Sequence, residues 1–161
     1  MNENSVYLDT STIVKRYIEE RGSRLVDHIY SKAEAGELTA VTSLWNIGEV
    51  LGVLDKYRSR KLIDDRALLE SLKHFLGESL KMIRLESMQI LPLTTDIFVQ
   101  TYALTLKHHI YQADALQVAT CGTSNCRLLV SADHLLLTIA QKESLNAFDI
   151  ETQEDEIKKR L

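Results

Sequence analysis

Four acidic residues stand out in this sequence because their neighbours do not explain them. Asp9 ends the apolar run VYL, and Asp133 follows the apolar run LLV after two intervening residues. Glu49 lies within SLWNIGEVLGVL and Asp114 within IYQADALQVATC, two stretches that we predict to be helical. Neither Glu49 nor Asp114 has a Lys or Arg three or four residues away, where a helical ion pair would form. These four acids are the candidate functional residues.

The chemistry that suits such acids is the binding of a divalent cation. A carboxylate among apolar neighbours costs several kcal/mol if it is buried, charged and unpaired. It must then raise its pKa, find a distant cation or bind a metal ion. A shared Mg²⁺ or Mn²⁺ would serve all four acids, because these ions prefer oxygen ligands. Such an ion can neutralise a phosphate and generate a nucleophilic water.

Each acid also has a plainer interpretation, which the residues leave open. Asp9 and Asp133 could be helix-capping residues, because Asp is favoured at helix N-termini. Glu49 and Asp114 could pair with a distant cation or lie exposed on a helix edge. The metal-site hypothesis therefore depends on a fold that gathers all four side chains.

The composition is that of one globular domain. The chain has 161 residues, of which 45% are hydrophobic and 26% charged, and a chain of this length buries roughly 70% of its unfolded surface. The net charge of −4 lacks the basic excess of a typical nucleic-acid binder, although a local basic patch would suffice. No apolar run approaches the roughly 18 residues that span a bilayer, and the polar start MNENS predicts no secretory signal. We therefore predict a cytoplasmic protein without a membrane segment.

The two cysteines, Cys121 and Cys126, do not form a recognisable metal motif. Their C-x4-C spacing lacks a second pair, so a zinc site is not predicted. Two reduced cysteines are expected for a cytoplasmic protein, and a disulfide stays open for a hyperthermophilic source.

Short apolar runs alternate with longer helical patterns along the chain. We predict strands at about 6–8, 38–41, 90–93, 127–130 and 147–148. We predict helices at about 12–20, 23–35, 44–58, 64–86, 95–107, 112–121 and 133–141, with Gly22, Gly36 and Gly122 as helix ends. The stretch 64–86 is one long helix or two helices joined near Gly77. Residues 1–150 form the predicted domain, and residues 151–161 are a charged tail or a short final helix.

This alternation predicts an α/β fold, a three-layer α/β/α sandwich with a central, mostly parallel sheet. In such sheets, sites form beyond the carboxyl ends of the strands. Asp9 and Asp133 both follow a predicted strand, so we expect them to point into the same crevice.

Four stretches of the chain together resemble one protein family. VYLDTSTIVKRY, WNIGEVLGVL, QADALQVATC and LLVSADHLL, in this order and spacing, are similar to the PIN-domain ribonucleases and most of all to VapC-type toxins of toxin–antitoxin pairs. The resemblance runs from about Ser5 to Phe148. It implies a PIN-like α/β/α domain and a metal-dependent endoribonuclease, with an RNA substrate, a cognate antitoxin and a homodimer.

The resemblance also implies roles for individual residues. Asp9, Glu49, Asp114 and Asp133 fall on the family's acidic quartet, the catalytic residues that hold Mg²⁺ or Mn²⁺. Ser11 and Ser131 fall on the hydroxyl residues that support the first acid and precede the fourth. The stretch Asp64 to Glu86 falls where such toxins commonly receive an antitoxin.

The sequence departs from the family pattern in two places. Gly48 stands where Ser or Ala is usual, and SADHLL lacks the second acid of the common Asp-x-Asp. Asp149 could compensate, although a solvent-exposed acid is the expectation there. The weaker fourth motif leaves open an inactive PIN-like binding or scaffold module. A phosphatase with an aspartyl nucleophile is disfavoured, because it needs an acid where this chain has Ser11.

Substrate contact would need positive charge near the acids. The candidates are basic residues close to the four motifs: Lys15, Arg16, Arg58, Arg60, Lys61 and Lys107. Trp45, one turn before Glu49, could stack on a base or face a core or partner.

Overall fold

The computed structural model describes residues 4–161 and contains a five-stranded sheet in which every strand pair is parallel. The strand order is β3-β2-β1-β4-β5. The strands are β1 (Ser5–Leu8), β2 (Thr39–Ser43), β3 (Met88–Leu91), β4 (Leu128–Ser131) and β5 (Ala147–Asp149). The helices are α1 (Thr10–Val14), α2 (Ser23–Glu34), α3 (Leu44–Ser59), α4 (Asp65–Arg84), α5 (Thr95–His108), α6 (Gln112–Ser124), α7 (His134–Lys142) and α8 (Glu154–Lys158).

Two apolar cores cover the two faces of the sheet, because successive residues of a strand point to opposite faces. Val6 and Leu8 belong to a core with α2, α3 and α4, whereas Tyr7 between them belongs to a core with α6 and α7. Leu128 and Leu129 of β4 divide in the same way. Helix α5 packs outside α6. The predicted three-layer α/β/α sandwich is therefore confirmed.

The strand order creates a crevice next to the central strand. The chain moves from β1 to β2 on one side and later places β4 on the other side of β1. Ligand sites of open parallel sheets form at such a switch point, beyond the carboxyl ends of the strands. Asp9 follows β1 and Asp133 follows β4, so both acids stand at this switch point.

The first helix differs from the sequence prediction. The pattern predicted a helix over residues 12–20, whereas α1 ends at Val14 and the next turn closes with tighter hydrogen bonds, from the Arg16 amide to Ile13 and from the Tyr17 amide to Val14. The side chains that follow α1 are held by distant acids. These tertiary contacts override the local helical pattern.

Two glycines do not end helices as the sequence predicted. Gly22 begins α2 at φ 91°, and a Cβ there would lie 3.0 Å from the Ile150 carbonyl oxygen, so both backbone angle and space require glycine. Gly122 lies inside α6, which continues to Ser124 and ends at Asn125 in the left-handed conformation. Strand β3 begins and ends two residues before its predicted range.

The long stretch after Asp64 forms a single helix. Helix α4 continues through Gly77 without interruption, and the Asp64 side chain caps it by accepting a hydrogen bond from the Ala67 amide. The charged end of the chain contains α8, where Ile157 is fully buried in the same core as Val6. No helix among residues 4–161 is both long and apolar enough to cross a membrane. The prediction of no secretory signal was based on the polar first residues, MNENS. Most of these residues lie outside the part of the chain that the structure describes.

A partly buried ion-pair network ties the turn after α1 to α2 and α4. The Arg16 guanidinium donates to both carboxylate oxygens of Glu78, at 2.7 and 3.1 Å, and to Asp27 at 2.6 Å. The Tyr17 hydroxyl also donates to Glu78, at 2.9 Å. Burial opposes ionisation of Glu78, but the hydrogen bonds from Arg16 and Tyr17 outweigh it and hold the pKa of this carboxyl below its ordinary value.

Replacing the cation of this network should destabilise the fold in a pH-dependent way. We expect Arg16→Met to lower the free energy of unfolding at pH 7 by about 3 kcal/mol, because the Glu78 carboxylate stays buried without its partner. In the wild type the depressed pKa of Glu78 adds stability above the unfolded-state pKa, and this stability is lost as the pH falls through the folded-state pKa. The deficit of Arg16→Met should therefore shrink in acid. Urea unfolding between pH 3 and pH 7 measures both effects.

The matched control is Arg66→Met, which breaks an exposed pair with Glu70 on the surface of α4. Exposed ion pairs contribute little to the free energy of unfolding, so the urea midpoint of Arg66→Met should equal that of the wild type. Equal destabilisation by the two substitutions would contradict the assignment of a stabilising role to the Arg16 network.

Candidate active site

The four predicted acids line one cavity of about 430 Å³ at the carboxyl edge of the sheet. Asp9 and Asp133 come from the ends of β1 and β4, Glu49 from α3 and Asp114 from the first turn of α6. We call this the acidic cavity. None of these four side chains forms an ion pair with a Lys, Arg or His of residues 4–161. The fold therefore gathers negative charge without neutralising it.

Asp9 is buried and held by hydroxyl and amide donors. It caps α1 by accepting a hydrogen bond from the Thr12 amide at 2.9 Å, and the hydroxyl groups of Ser11 and Ser131 each approach it at 2.8 Å. Burial raises the pKa of Asp9, and these hydrogen bonds oppose the rise. The carboxyl group is thus fixed in orientation by neutral groups.

Ser131 connects the ends of the two central strands. Its hydroxyl donates to Asp9 and accepts a hydrogen bond from the Asp133 amide at 2.8 Å. Ser11 makes a second link, because its hydroxyl accepts a hydrogen bond from the Ala132 amide at 2.8 Å. The two serines thus hold β1 and the segment after β4 in one arrangement.

Asp133 is a helix cap that also faces the cavity. Its Oδ1 accepts hydrogen bonds from the amides of Leu135 and Leu136, at 2.8 and 3.0 Å, as the N-cap of α7. Its Oδ2 has no hydrogen-bond donor among residues 4–161. Capping and facing the cavity are therefore compatible roles for an acid at the end of a strand.

Glu49 is oriented by a buried network of neutral side chains. Its Oε2 accepts hydrogen bonds from the Thr10 hydroxyl at 2.6 Å and from the Gln117 amide group at 3.1 Å. Behind them, the Asn46 amide group donates to both Thr10 and Gln117, at 2.9 Å each. Asn46 is itself held by the Tyr7 hydroxyl, which donates to its Oδ1 at 3.1 Å. This network joins β1, α3 and α6 beneath the cavity.

Asp114 is the acid that the protein leaves unpartnered. Its partly buried carboxyl group accepts no hydrogen bond from residues 4–161. Burial raises its pKa, and the negative charges of Asp133, Glu49 and Asp9 raise it further. These carboxylates therefore interact across the cavity, and Asp114 takes up a proton at a higher pH than an ordinary aspartate.

The donor set fits a hydrated divalent cation. Within the described residues, no three His, Cys, Asp or Glu side chains stand close enough together to hold an ion by themselves. Mg²⁺, however, keeps several waters and is commonly bound by one or two carboxylates. The free oxygens here are carboxylate oxygens, and the Asp114 carboxyl group has no hydrogen-bond or ion-pair partner among residues 4–161. The cavity thus suits an ion that retains water.

Several residues of the cavity and of the hydrogen-bond network beneath it were not predicted from the sequence. Thr10, Asn46 and Gln117 were missed as functional residues because nothing in a neutral side chain signals a distant partner. The sequence offered one clue, since Asn46 precedes Glu49 by three residues and Gln117 follows Asp114 by three. Lys56 also lines the cavity. The clue to Lys56 in the sequence was its position two helical turns after Glu49, on the same side of the helix.

The expectation of a solvent-exposed Asp149 is wrong. Asp149 is 5% exposed and caps the turn after β5, where it accepts hydrogen bonds from the Glu151 amide and the Thr152 hydroxyl, both at 2.8 Å. It does not line the acidic cavity. The Asp149 carboxyl group therefore does not replace the missing fourth-motif acid.

Most of the predicted substrate-binding cations are engaged elsewhere. Lys15 lines the cavity but pairs with Glu20 and Glu151, and Arg16 pairs as described above. Arg58 binds Asp55 and Asp65, and Lys107 binds Glu143. Arg60 and Lys61 do not line the cavity.

The two cysteines are both free, Cys121 buried in α6 and Cys126 partly exposed after it. Trp45 is 42% exposed and borders a small separate cavity with Tyr111 and Phe98. Neither feature adds a group to the acidic cavity.

The α/β/α fold and the acids at its switch point agree with the result of a comparison with known sequence families. The model of the PIN domain family matches residues 6–142. The chain therefore belongs to the PIN domain family. No relative among curated protein sequences is detected.

Solved structures share the fold at low sequence identity. PAE2754 from Pyrobaculum aerophilum superposes with a TM-score of 0.67 at 17% identity, over 98% of this chain and 91% of that one. FitAcB from Neisseria gonorrhoeae gives 0.64 at 17% identity, over 90% and 97%. VapC20 of Mycobacterium tuberculosis, a sarcin-ricin loop cleaving toxin, gives 0.58 at 15% identity, over 81% and 92%.

A divalent cation should stabilise the protein through the acidic cavity. Mn²⁺ at about 100 times its dissociation constant should raise the free energy of unfolding by ~2.7 kcal/mol, and Asp114→Asn should lose most of this gain. The gain should also fall on acidification, and at a higher pH than for an ordinary aspartate, because burial and the neighbouring carboxylates raise the pKa of Asp114 and its protonation competes with metal binding. Thermal unfolding with Mn²⁺ or EDTA measures these effects.

Asp96→Asn is the control, because Asp96 is also an aspartate in the first turn of a helix but lies exposed in α5, away from the cavity. It should keep the full response to Mn²⁺. An equal response in Asp114→Asn would show that the cation binds elsewhere.

Proposed function

We propose that this protein is a metal-dependent endoribonuclease and the toxin of a VapBC-type toxin–antitoxin system. The observation that carries the proposal is the acidic cavity of a PIN domain, which four carboxylates line without an ion-pair partner among residues 4–161. Asp9, Glu49, Asp114 and Asp133 are the proposed catalytic and metal-binding residues. Ser11 and Ser131 are the proposed supporting residues.

A bound Mg²⁺ or Mn²⁺ would supply a nucleophilic water and neutralise the negative charge of the scissile phosphate. The residues of this chain contribute orientation. Asp9 is fixed by Ser11, Ser131 and the Thr12 amide, and Glu49 by Thr10 and Gln117. Preorganised groups of this kind reduce the rearrangement that the reaction requires. Cleavage would leave, by family resemblance, a 5′-phosphate and a 3′-hydroxyl.

The similar structures support both the RNA cleavage and the antitoxin partner in this proposal. VapC20 is described as a toxin that cleaves the sarcin-ricin loop, and a similar structure from Klebsiella pneumoniae is described as a toxin–antitoxin complex. An RNA substrate and an antitoxin partner for this chain follow by analogy with these proteins. A homodimer and a cytoplasmic location remain expectations from the family.

The activity can be tested with purified protein and a panel of RNAs. Wild-type protein should cleave RNA with Mn²⁺ or Mg²⁺ and not with EDTA. Asp9→Asn and Glu49→Gln should each lower the cleavage rate by at least about 100-fold, the usual cost of removing one preorganised catalytic group. Gel analysis of labelled RNA measures the rate.

The control for this assay is Asp96→Asn, which removes an exposed acid of α5 that lies outside the cavity. Its cleavage rate should equal that of the wild type. Cleavage that survives both EDTA and the Asp9 substitution would contradict the metal-dependent mechanism. A folded wild-type protein that binds RNA but cleaves none of the panel would favour an inactive binding module.

Helix α4 offers the surface that we propose for the antitoxin. Leu69, Leu76, Leu80 and Ile83 follow one another at helical spacing on α4, and their side chains are exposed. Exposed apolar stripes of this kind mark protein interaction sites. The surface coincides with the stretch that the family resemblance assigns to the antitoxin.

Charging this stripe should prevent inhibition by a cognate antitoxin. We expect Leu76→Lys to weaken binding of a cognate antitoxin by at least about tenfold, as for a central interface residue. RNA cleavage by Leu76→Lys alone should persist. Leu106→Lys, which charges an exposed residue of α5, should bind like the wild type. Full inhibition of Leu76→Lys would place the antitoxin elsewhere.

A further inference from the structure

One face of α3 forms a wall that extends the acidic cavity away from the acids. Glu49, Gly52, Val53 and Lys56 all line the cavity, and their spacing of three, four and seven residues puts them on the same side of the helix. Lys56 lies two turns beyond Glu49, or roughly 10 Å along the helix axis. The wall therefore leads from negative charge at one end to positive charge at the other.

Lys56 differs from the other lysine of the cavity because its charge is available. Lys15 is 4% exposed, and its ammonium group is bound by Glu20 at 3.0 Å and by Glu151 at 2.6 Å. Lys56 is exposed, and its side chain forms no ion pair or hydrogen bond within residues 4–161. An anion that enters the cavity can therefore meet the Lys56 ammonium group without displacing a protein carboxylate.

Gly52 lies between the two ends of this wall, and the folded chain gives no packing reason for a glycine there. Glycine in the interior of a helix is unfavourable compared with alanine. A Cβ added at Gly52 would meet no atom within 4 Å. The missing side chain thus leaves open space on the cavity wall, which allows another molecule to approach the helix backbone closely.

The charges that line the cavity determine how an RNA strand can use this open space. Four carboxylates repel the phosphates of RNA, and a bound cation offsets this repulsion mainly for the phosphate beside it. The next phosphates of the same strand need positive charge of their own. At roughly 3.4 Å per nucleotide of a stacked strand, the distance to Lys56 corresponds to about three nucleotides.

We propose that Lys56 binds a phosphate about three nucleotides from the scissile one in the RNA strand, and that Gly52 provides the space through which the strand passes. This inference rests on the proposed function and deepens it. The substrate is then a polynucleotide that must extend several nucleotides along α3. Lys56 is a positioning residue, and it touches the substrate away from the reacting phosphate.

The first test measures the binding of a fluorescent 12-nucleotide single-stranded RNA in EDTA, over a series of salt concentrations. Lys56→Gln should weaken binding by about two- to fivefold, the range for one exposed ion pair. It should also reduce the slope of log affinity against log salt by about 0.7, the value for one phosphate contact on a single strand. Lys56→Arg should restore both quantities.

The control is Lys73→Gln on α4, which removes an exposed lysine that has no ion pair within residues 4–161 and does not line the cavity. Its salt slope should equal that of the wild type. In cleavage assays with Mn²⁺, Lys56→Gln should raise KM by the factor seen in binding and change kcat little. A merely structural role for Lys56 would not move the salt slope.

The second test compares alanine at two helical glycines. Gly52→Ala and Gly77→Ala each add a methyl group that meets no protein atom within 4 Å, so both should raise the unfolding midpoint. Only Gly52→Ala should weaken RNA binding, because only that methyl group enters the cavity. A gain in stability together with a loss of binding separates this effect from misfolding.

The outcomes separate the inference from the proposed function. Cleavage by the wild type, with an unchanged salt slope and KM in Lys56→Gln, would overturn the role of Lys56 and leave the nuclease intact. RNA binding that depends on Lys56 in a protein that never cleaves would support the inference and overturn the nuclease. A wild-type protein that neither binds RNA in EDTA nor cleaves it with Mn²⁺ would overturn both.

Discussion

Mutual repulsion among four carboxylates is the constraint that the rest of this structure must satisfy. The protein holds these groups with hydroxyl, amide and backbone N–H donors rather than with lysine or arginine. Asp9 is held by Ser11 and Ser131, and Glu49 by Thr10 and Gln117. Neutral donors fix the position of a carboxylate without cancelling its charge, so the cavity keeps its attraction for a cation. Repulsion among the carboxylates lowers the stability of the fold. Burial of the two apolar cores that cover the sheet compensates for this loss.

The parts of the site that follow from general rules could be predicted from the sequence. Asp9 and Asp133 were predicted as neighbours because the carboxyl ends of parallel strands meet at one edge. Glu49 and Asp114 were predicted because their helices offer them no cation. The neutral network around Asn46 could not be predicted, because an amide or hydroxyl group has no preferred partner until the fold brings one to it.

The errors share a cause, which is that local patterns do not reveal tertiary contacts. Helix α1 is shorter than its apolar spacing predicted, because Lys15 and Arg16 are held by acids from distant parts of the chain. Glycine carries an ambiguous local signal, so Gly122 was taken for a helix end although it lies within α6. The buried state of Asp149 depends on a turn after β5 that only the folded protein forms.

The central position of β1 has a consequence for biosynthesis. Strand β1, which leaves the ribosome before the other four strands, becomes the middle of the sheet, and its neighbour β4 is made more than a hundred residues later. Asp9 cannot meet Ser131 until translation has passed both. Any nascent or truncated chain that stops before β4 therefore lacks a complete cavity.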